Sequence, residues 1–105
     1  MASPKESIAT LTSSSPVVVY AKSHCPHCAK TKALLTELGV HFELVDLDKI
    51  PEGEALESAL HELTGQRTVP NIFIGAKSRG GNSDLQELHK NGQLVPLLRE
   101  HGALA

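Results

Sequence analysis

The two cysteines of the chain, Cys25 and Cys28, are separated by two residues in the run Cys25-Pro26-His27-Cys28. This spacing lets the two sulfurs close a small disulfide ring and open it again. Only a thiolate attacks a disulfide, and an ordinary cysteine, with a pKa of about 8.5, is mostly protonated at neutral pH. The motif therefore predicts a redox dithiol, provided that the fold stabilises one of the thiolates.

The segments on either side of the pair indicate how it is positioned. Val17 to Ala21 is short and rich in β-branched residues, which predicts a buried strand, and Pro26 to Leu38 has apolar residues at helical spacing. Cys25 would precede the first helical turn, where unpaired N–H groups and the positive end of the helix dipole favour an anion. Lys22 adds a positive charge nearby. We therefore predict that Cys25 is the nucleophile and that Cys28 is the more buried resolving thiol.

A structural disulfide and half of a zinc site are the alternative uses of such a pair. A reducing cytosol disfavours the first, and the second needs two further ligands. The sequence has no second C-x-x-C and no H-x-x-x-H pair, so we expect no metal site. His24, directly before Cys25, could tune the thiolate or lie exposed in the loop, and we favour the exposed position. The remaining histidines outside the motif are interpreted as surface or helix-end residues; they are His41, His61, His89 and His101.

The rest of the chain alternates strand and helix patterns, which predicts that the first two strands are parallel. Residues 80–84 are predicted to form a flexible loop with helix-capping residues. The predicted elements are a leading helix over Pro4 to Leu11, a strand over Val40 to Leu47, a helix over Glu54 to Thr64, a strand over Asn71 to Ile74, an edge strand over Lys77 to Arg79, and helices over Leu85 to Lys90 and about Leu94 to His101.

Length and charge narrow the possible partners. The 105 residues predict one domain, over residues 1–105, with a formal charge of −2 and no basic stripe that would attract nucleic acid. No apolar run reaches the ~18 residues of a membrane span, and the N-terminus does not have the pattern of a secretory signal. We therefore expect a cytoplasmic protein, although serines and threonines near the N-terminus leave organelle targeting open.

Three blocks in this order and at these separations carry a resemblance that covers nearly the whole chain. They are Val18 to Cys28, Thr64 to Ile74, and Gly80 to Leu85. With these blocks the chain resembles a dithiol glutaredoxin of the thioredoxin fold. The resemblance implies an α/β protein with a four-stranded mixed sheet flanked by helices, and a cis peptide bond before Pro70 facing the dithiol.

The resemblance also implies an enzymatic activity. The protein would be a glutathione-dependent thiol–disulfide oxidoreductase that acts as a monomer on glutathionylated and disulfide-containing proteins. Glutathione would be its co-substrate, and no cofactor would be bound permanently. Cys25 would attack the substrate disulfide, and Cys28 would resolve mixed disulfides formed with protein disulfides.

Ten residues are implied to contact glutathione. Lys22 and Gln66 would meet its glycine carboxylate, and Val69 would pair with its cysteinyl backbone. Ser83 and Asp84 would hold the γ-glutamyl end, since a helix N-terminus suits a carboxylate and an acid suits an amine. The other implied contacts are His27, Thr68, Pro70, Gly81 and Asn82.

Two positions depart from the family pattern. His27 stands where the family usually has an aromatic residue, and Asn82 stands where many relatives carry cysteine. The imidazole of His27 can gain a positive charge, which would favour the thiolate-bearing state. We therefore predict a more oxidising disulfide than an aromatic residue would give. Asn82 removes one side route to oxidation.

Two other functions are weighed against the leading one. Some glutaredoxins bridge an iron–sulfur cluster between two subunits, and this is the alternative function. Pro26 counts against it, because relatives that hold clusters usually have glycine or serine there. A thioredoxin reduced by a flavoprotein is disfavoured because the chain contains no tryptophan.

Overall fold

The structure, a computed structural model, describes residues 2–104. The described elements alternate helices and strands along the chain. They are α1 (Pro4–Ser14), β1 (Val17–Ala21), α2 (Pro26–Glu37), β2 (Glu43–Asp46), a 3₁₀ turn (Leu47–Lys49), α3 (Gly53–Thr64), β3 (Asn71–Ile74), β4 (Lys77–Ser78), α4 (Asn82–Lys90) and α5 (Leu94–Glu100).

The four strands form one mixed sheet in the order β2-β1-β3-β4. β1 is parallel to β2, whereas β1 with β3 and β3 with β4 are antiparallel pairs. The predicted four-stranded mixed sheet and the predicted parallel first pair are thus confirmed. Because β1 is an interior strand, the loop that follows it leaves the sheet between neighbouring strands and not at an outer strand.

Helices cover both faces of the sheet, and β1 contributes to both cores. Val17, Val19 and Ala21 pack with apolar residues of α2, α4 and α5. Val18 and Tyr20 face the other way, toward apolar residues of α1 and α3. All five residues of β1 are buried, because successive side chains of a strand point to opposite faces and both faces are covered.

Several boundaries differ from the predicted ones. The second strand is Glu43–Asp46 and not Val40 to Leu47, because Val40 N–H bonds Leu35 O at 2.9 Å to close the end of α2. Leu47 begins the 3₁₀ turn. The helix α4 starts at Asn82, three residues earlier than predicted, so the predicted loop contributes its first turn. The leading helix continues to Ser14, beyond the predicted end at Leu11.

Within residues 2–104, no helix has the length and apolar character needed to cross a bilayer.

Candidate active site

Cys25 lies between β1 and α2, at the N-cap position of α2. Its Sγ accepts the backbone N–H of Cys28 at 3.1 Å, and its thiol donates to Val69 O at 3.7 Å. The first turn of α2, which the structure describes in full, carries no carboxylate. Because the exposed N–H groups and the dipole of α2 point at a sulfur with no competing anion in that turn, this position favours a thiolate.

Cys28 has a different environment, although it is one helical turn away. It is fully buried in the core between β1 and α2, whereas Cys25 is partly exposed. Burial, aided by the hydrogen bond with Cys25, raises the pKa of the Cys28 thiol to about 11. Both cysteines are free thiols in this structure. Cys28 is therefore protonated at neutral pH, and Cys25 is the sulfur that a substrate can reach.

The loop before Cys25 is attached to the 3₁₀ turn through Asp48. The backbone N–H of Ser23 donates to Asp48 Oδ1 at 3.0 Å, and the Ser23 hydroxyl donates to Asp48 Oδ2. These bonds hold the pKa of Asp48 below its usual range. Sequence analysis missed this contact. The parallel pairing of β1 and β2 was the available signal, because it places the residues that follow the two strands side by side.

A cavity of about 390 Å³ lies beside the start of α2. Nine described residues line it, and all nine are among the ten that the resemblance implied. They are His27, Gln66, Thr68, Val69, Pro70, Gly81, Asn82, Ser83 and Asp84. We call this cavity the groove, residues 66–70 its proline wall and residues 81–84 its glycine wall. The Val69–Pro70 peptide bond is cis, as implied.

The proline wall is organised by the side chain of Gln66. Its Nε2 donates to Thr68 O at 2.9 Å and to Pro70 O at 2.8 Å. Both amide hydrogens therefore point at carbonyl groups of the wall itself. In this arrangement the amide does not present its donors to a carboxylate, so the implied contact of Gln66 with glutathione requires the amide to turn.

The glycine wall is the start of α4. Gly81 N–H donates to Asp84 Oδ2 at 3.0 Å, and the side chains of Ser83 and Asp84 are exposed. Asn82 is buried, and its Oδ1 accepts from Thr31 Oγ1 at 2.9 Å. Asn82 thus links α4 to α2, so its side chain has a structural partner as well as a place on the groove.

Lys22 is the implied residue that lies outside the groove. Its Nζ is 3.1 Å from Glu57 Oε1 of α3, and both side chains are partly exposed. Sequence analysis missed this pair, because Glu57 lies 35 positions further along the chain and leaves no local signal near Lys22. Lys22 would have to leave Glu57 before it could meet a substrate carboxylate.

Outside the groove, the described residues form a further cavity but no cluster suited to a metal ion. A larger cavity, of about 690 Å³, lies between α4 and α5 and is lined in part by Leu88, Pro96 and Leu97, away from the cysteines. Among residues 2–104, no group of three or more His, Cys, Asp or Glu side chains is arranged to hold a metal ion.

These features define a class of protein. A mixed sheet in the order β2-β1-β3-β4, a C-x-x-C dithiol at the start of the helix after β1, and a cis-proline opposite that dithiol are the features of a thioredoxin-fold thiol–disulfide oxidoreductase.

Comparison with known proteins gives the family. The family model for glutaredoxin matches residues 17–78, and the chain belongs to the glutaredoxin family. It is 50% identical to glutaredoxin-C6 of Oryza sativa subsp. japonica over 105 residues, which cover 100% of this chain and 90% of that protein. It is 50% identical to glutaredoxin-C2 of Arabidopsis thaliana over 95 residues, which cover 90% of this chain and 86% of that one.

The solved structures agree with this assignment. The chain is similar to the crystal structure of a buckwheat glutaredoxin–glutathione complex, with a TM-score of 0.95, 42% identity, and coverage of 97% of this chain and 93% of that one. The predicted thioredoxin fold is confirmed. The protein is an enzyme, a thiol–disulfide oxidoreductase of the glutaredoxin family, as the resemblance implied.

Proposed function

We propose that the protein reduces protein–glutathione mixed disulfides, and that Cys25 is the only cysteine of the enzyme that this reaction needs. The observation that carries this proposal is the contrast between the two thiols. Cys25 is partly exposed at a helix N-terminus beside the groove, whereas Cys28 is buried with its pKa raised to about 11. A protonated resolving thiol leaves time for a second glutathione to react at Cys25.

The reaction has two exchange steps. The Cys25 thiolate attacks the glutathionyl sulfur of the substrate, a Cys25–glutathione disulfide forms, and the protein thiolate leaves and takes a proton from water. A second glutathione, as its thiolate, then attacks the glutathionyl sulfur on Cys25. Glutathione disulfide is released and the Cys25 thiolate is restored. Over the two steps one disulfide bond is broken and one is formed, so free glutathione is the reductant and glutathione disulfide is the oxidised product.

For protein disulfides, Cys28 enters the cycle. Cys25 first forms a mixed disulfide with the substrate, and Cys28 must lose its proton before it attacks Cys25 and releases the second substrate thiol. The raised pKa of Cys28 makes this step slower than it would be for an exposed thiol. Two glutathiones then reduce the Cys25–Cys28 disulfide.

The groove offers groups that suit the two ends of glutathione. At one end, the first turn of α4 provides backbone N–H groups for the γ-glutamyl carboxylate, and Asp84 provides a carboxylate for the amine. Val69, whose carbonyl oxygen accepts from the Cys25 thiol, provides a backbone edge for the cysteinyl unit. At the other end Lys22 would exchange Glu57 for the glycine carboxylate. The buckwheat complex, whose ligand is glutathione, supports the choice of ligand.

The proposal is tested with the Cys28→Ser variant and a glutathionylated peptide, with glutathione and glutathione reductase as the recycling system. We expect this variant to retain deglutathionylation and the matched Cys25→Ser variant to lose it. Loss of activity in Cys28→Ser, while the unmutated protein stays active on disulfides, would establish an obligatory dithiol cycle and contradict the proposal.

The iron–sulfur carrier is not favoured as an alternative. Anaerobic purification tests it directly, because a bound cluster would give a brown protein with visible absorbance. The monomeric state and the cytoplasmic location remain predictions, to be tested by gel filtration and by fractionation of cells.

A further inference from the structure

The hydroxyl group of Thr64, the last residue of α3, makes three hydrogen bonds. It donates to Leu60 O at 2.8 Å, and it accepts from the backbone N–H of Gln66 at 3.2 Å and from Asn71 Nδ2 at 3.1 Å. A hydroxyl has one hydrogen and two lone pairs, so these three bonds use its full capacity.

The two accepted bonds join both ends of the proline wall to one atom. Gln66 is the first residue of that wall and Asn71 follows its last residue, so Thr64 Oγ1 holds the wall at its beginning and its end. The Gln66 amide holds the middle through the carbonyl groups of Thr68 and Pro70. Thr64 Oγ1 therefore links α3 to both ends of the wall, in addition to the pairing of β3 with β1 that holds Asn71.

Asn71 is a rigid partner for this oxygen. It is only 1% exposed at the start of β3, where it lies opposite Tyr20 of β1. Its Oδ1 accepts from the Ser78 hydroxyl at 2.7 Å, so both ends of the amide are bonded. A buried side-chain amide with both ends hydrogen-bonded has little freedom to turn, because a buried polar group that loses its hydrogen-bond partner costs free energy.

The glycine wall is attached in a different way. The backbone N–H of Ile72 donates to Gly80 O at 3.0 Å, and the N–H of Arg79 donates to Ile72 O at 2.7 Å. These are main-chain bonds, which side-chain substitution leaves in place. The two walls approach closely, since a Cβ built on Gly81 would lie 3.4 Å from Pro70 O. A small movement of the proline wall would therefore change the shape of the groove.

We propose that Thr64 is a positioning residue for substrate binding, acting through Gln66 and Asn71 on the proline wall. Thr64 is absent from the residues that line the groove in the described structure, so it acts on the ligand indirectly. The inference rests on the proposed function, because it assumes that the groove holds the glutathionyl unit. It adds a determinant of substrate affinity that lies behind the groove.

The test compares Thr64→Val with Thr12→Val. Thr12 of α1 offers a matched control, because its hydroxyl also donates to the carbonyl oxygen four residues earlier, Ile8 O at 2.7 Å. Both substitutions remove that bond, but only Thr64→Val removes the two bonds to the ends of the proline wall. Thr64→Ser keeps the hydroxyl and serves as the conservative variant.

We expect Thr64→Val to raise the KM for a glutathionylated peptide about five-fold, because two donors lose their acceptor and the wall moves. The rate of alkylation of Cys25 by iodoacetamide should stay within about two-fold of the unmutated protein, since the wall meets this sulfur only through the long contact with Val69 O at 3.7 Å, whereas the helix N-terminus at Cys25 is unchanged. Thr12→Val and Thr64→Ser should leave the KM nearly unchanged. A KM for Thr64→Val equal to that for Thr12→Val would overturn the inference.

A second variant keeps the test decisive if Thr64→Val unfolds. Ser78→Ala, on the short strand β4, removes the bond that orients Asn71, together with the longer bond that the same hydroxyl accepts from Gly80 N–H at 3.4 Å, and should raise the KM about two-fold. If Ser78→Ala has the KM of the unmutated protein, the network does not position the wall. The unmutated protein is measured in the same assay, so its activity tests the proposed function separately.

Discussion

Two helices, α2 and α4, begin at the groove, and their first turns are built differently. At the start of α2, the group that accepts a backbone N–H is the sulfur of Cys25. At the start of α4, it is the carboxylate of Asp84, which accepts from Gly81 N–H at 3.0 Å. One helix end thus directs its N–H groups and dipole at a reactive atom, and the other already contains a negative charge.

Under the proposed function, the first turn of α2 serves the reaction at Cys25 and the first turn of α4 serves the binding of glutathione. An anion at the N-terminus of α2 must be the thiolate, because the described first turn has no carboxylate that could replace it. At α4 the exposed Asp84 carboxylate faces the groove, where it can meet a positively charged amine. We therefore expect changes at α2 to alter the reactivity of Cys25, and changes at α4 to alter binding.

The largest expected effect is the difference in alkylation rate between the two sulfurs of the motif, that of Cys25 at the N-cap of α2 and that of Cys28 one turn later. With a pKa of about 11, only about one Cys28 thiol in a thousand is ionised at pH 8. Burial, the main cause of the raised pKa, remains in Cys25→Ser, so at pH 8 iodoacetamide should alkylate Cys25 in Cys28→Ser more than about ten-fold faster than Cys28 in Cys25→Ser. The Cys28 rate should keep rising with pH through the alkaline range, because a raised pKa shifts ionisation to higher pH.

The same two variants unfolded in guanidinium chloride provide the control. There the two rates should agree within about two-fold, since neither burial nor a helix remains. Folded-state rates that differ by less than ten-fold would show that position on α2 does not separate the two sulfurs.

The next effect concerns α4. Asp84→Asn keeps an oxygen that can accept from Gly81 N–H but removes the charge, so the KM for a glutathionylated peptide should rise about five-fold. The alkylation rate of Cys25 should not change. Glu87→Gln, also exposed and one turn further along α4, is the matched control and should leave the KM unchanged. Equal effects of the two substitutions on the KM would show that the charge of Asp84 does not contribute to binding of the glutathionylated peptide.

Placing a carboxylate in the first turn of α2 should make that turn resemble the first turn of α4. We expect His27→Glu to slow alkylation of Cys25 at pH 7 by about three-fold, because the new charge competes with the thiolate for the helix N-terminus. Thr36→Glu, exposed in the last turn of α2, adds the same charge far from Cys25 and should have no effect on this rate. An unchanged rate in His27→Glu would argue against control by the helix end.

The smallest expected effect is on the redox potential. His27→Tyr should make the Cys25–Cys28 disulfide more reducing by about 10 mV, measured against the glutathione couple, since the thiolate loses a neighbouring side chain that can be positively charged. An unchanged potential, or a shift toward more oxidising values, would refute the hypothesis about His27.

The parts of the fold that the sequence predicted are those with local signals. The dithiol, its strand and its helix were predicted because β-branched content, helical spacing and the Cys25–Cys28 interval all lie within about 20 residues. The early start of α4 was missed because its first turn is closed by a polar contact between Gly81 and Asp84, without an apolar residue to mark it.

The parts of the site that were missed depend on partners far along the chain. Glu57 holds Lys22, and Asp48 holds Ser23 from 25 positions away, so composition around either residue gives no warning. The inward orientation of the Gln66 amide has another cause. It is set by carbonyl groups that come within reach only when the proline wall is folded.

The complete burial of Cys28 also bears on how the enzyme survives oxidants. Peroxide reaches the partly exposed Cys25 first and converts its thiolate to a sulfenic acid, the first step toward irreversible loss. The Cys28 thiol, which is hydrogen-bonded to Cys25, can condense with that sulfenic acid to a disulfide and water. Because its side chain is fully buried, Cys28 is shielded from peroxide and stays available for this condensation, and glutathione can then reduce the disulfide.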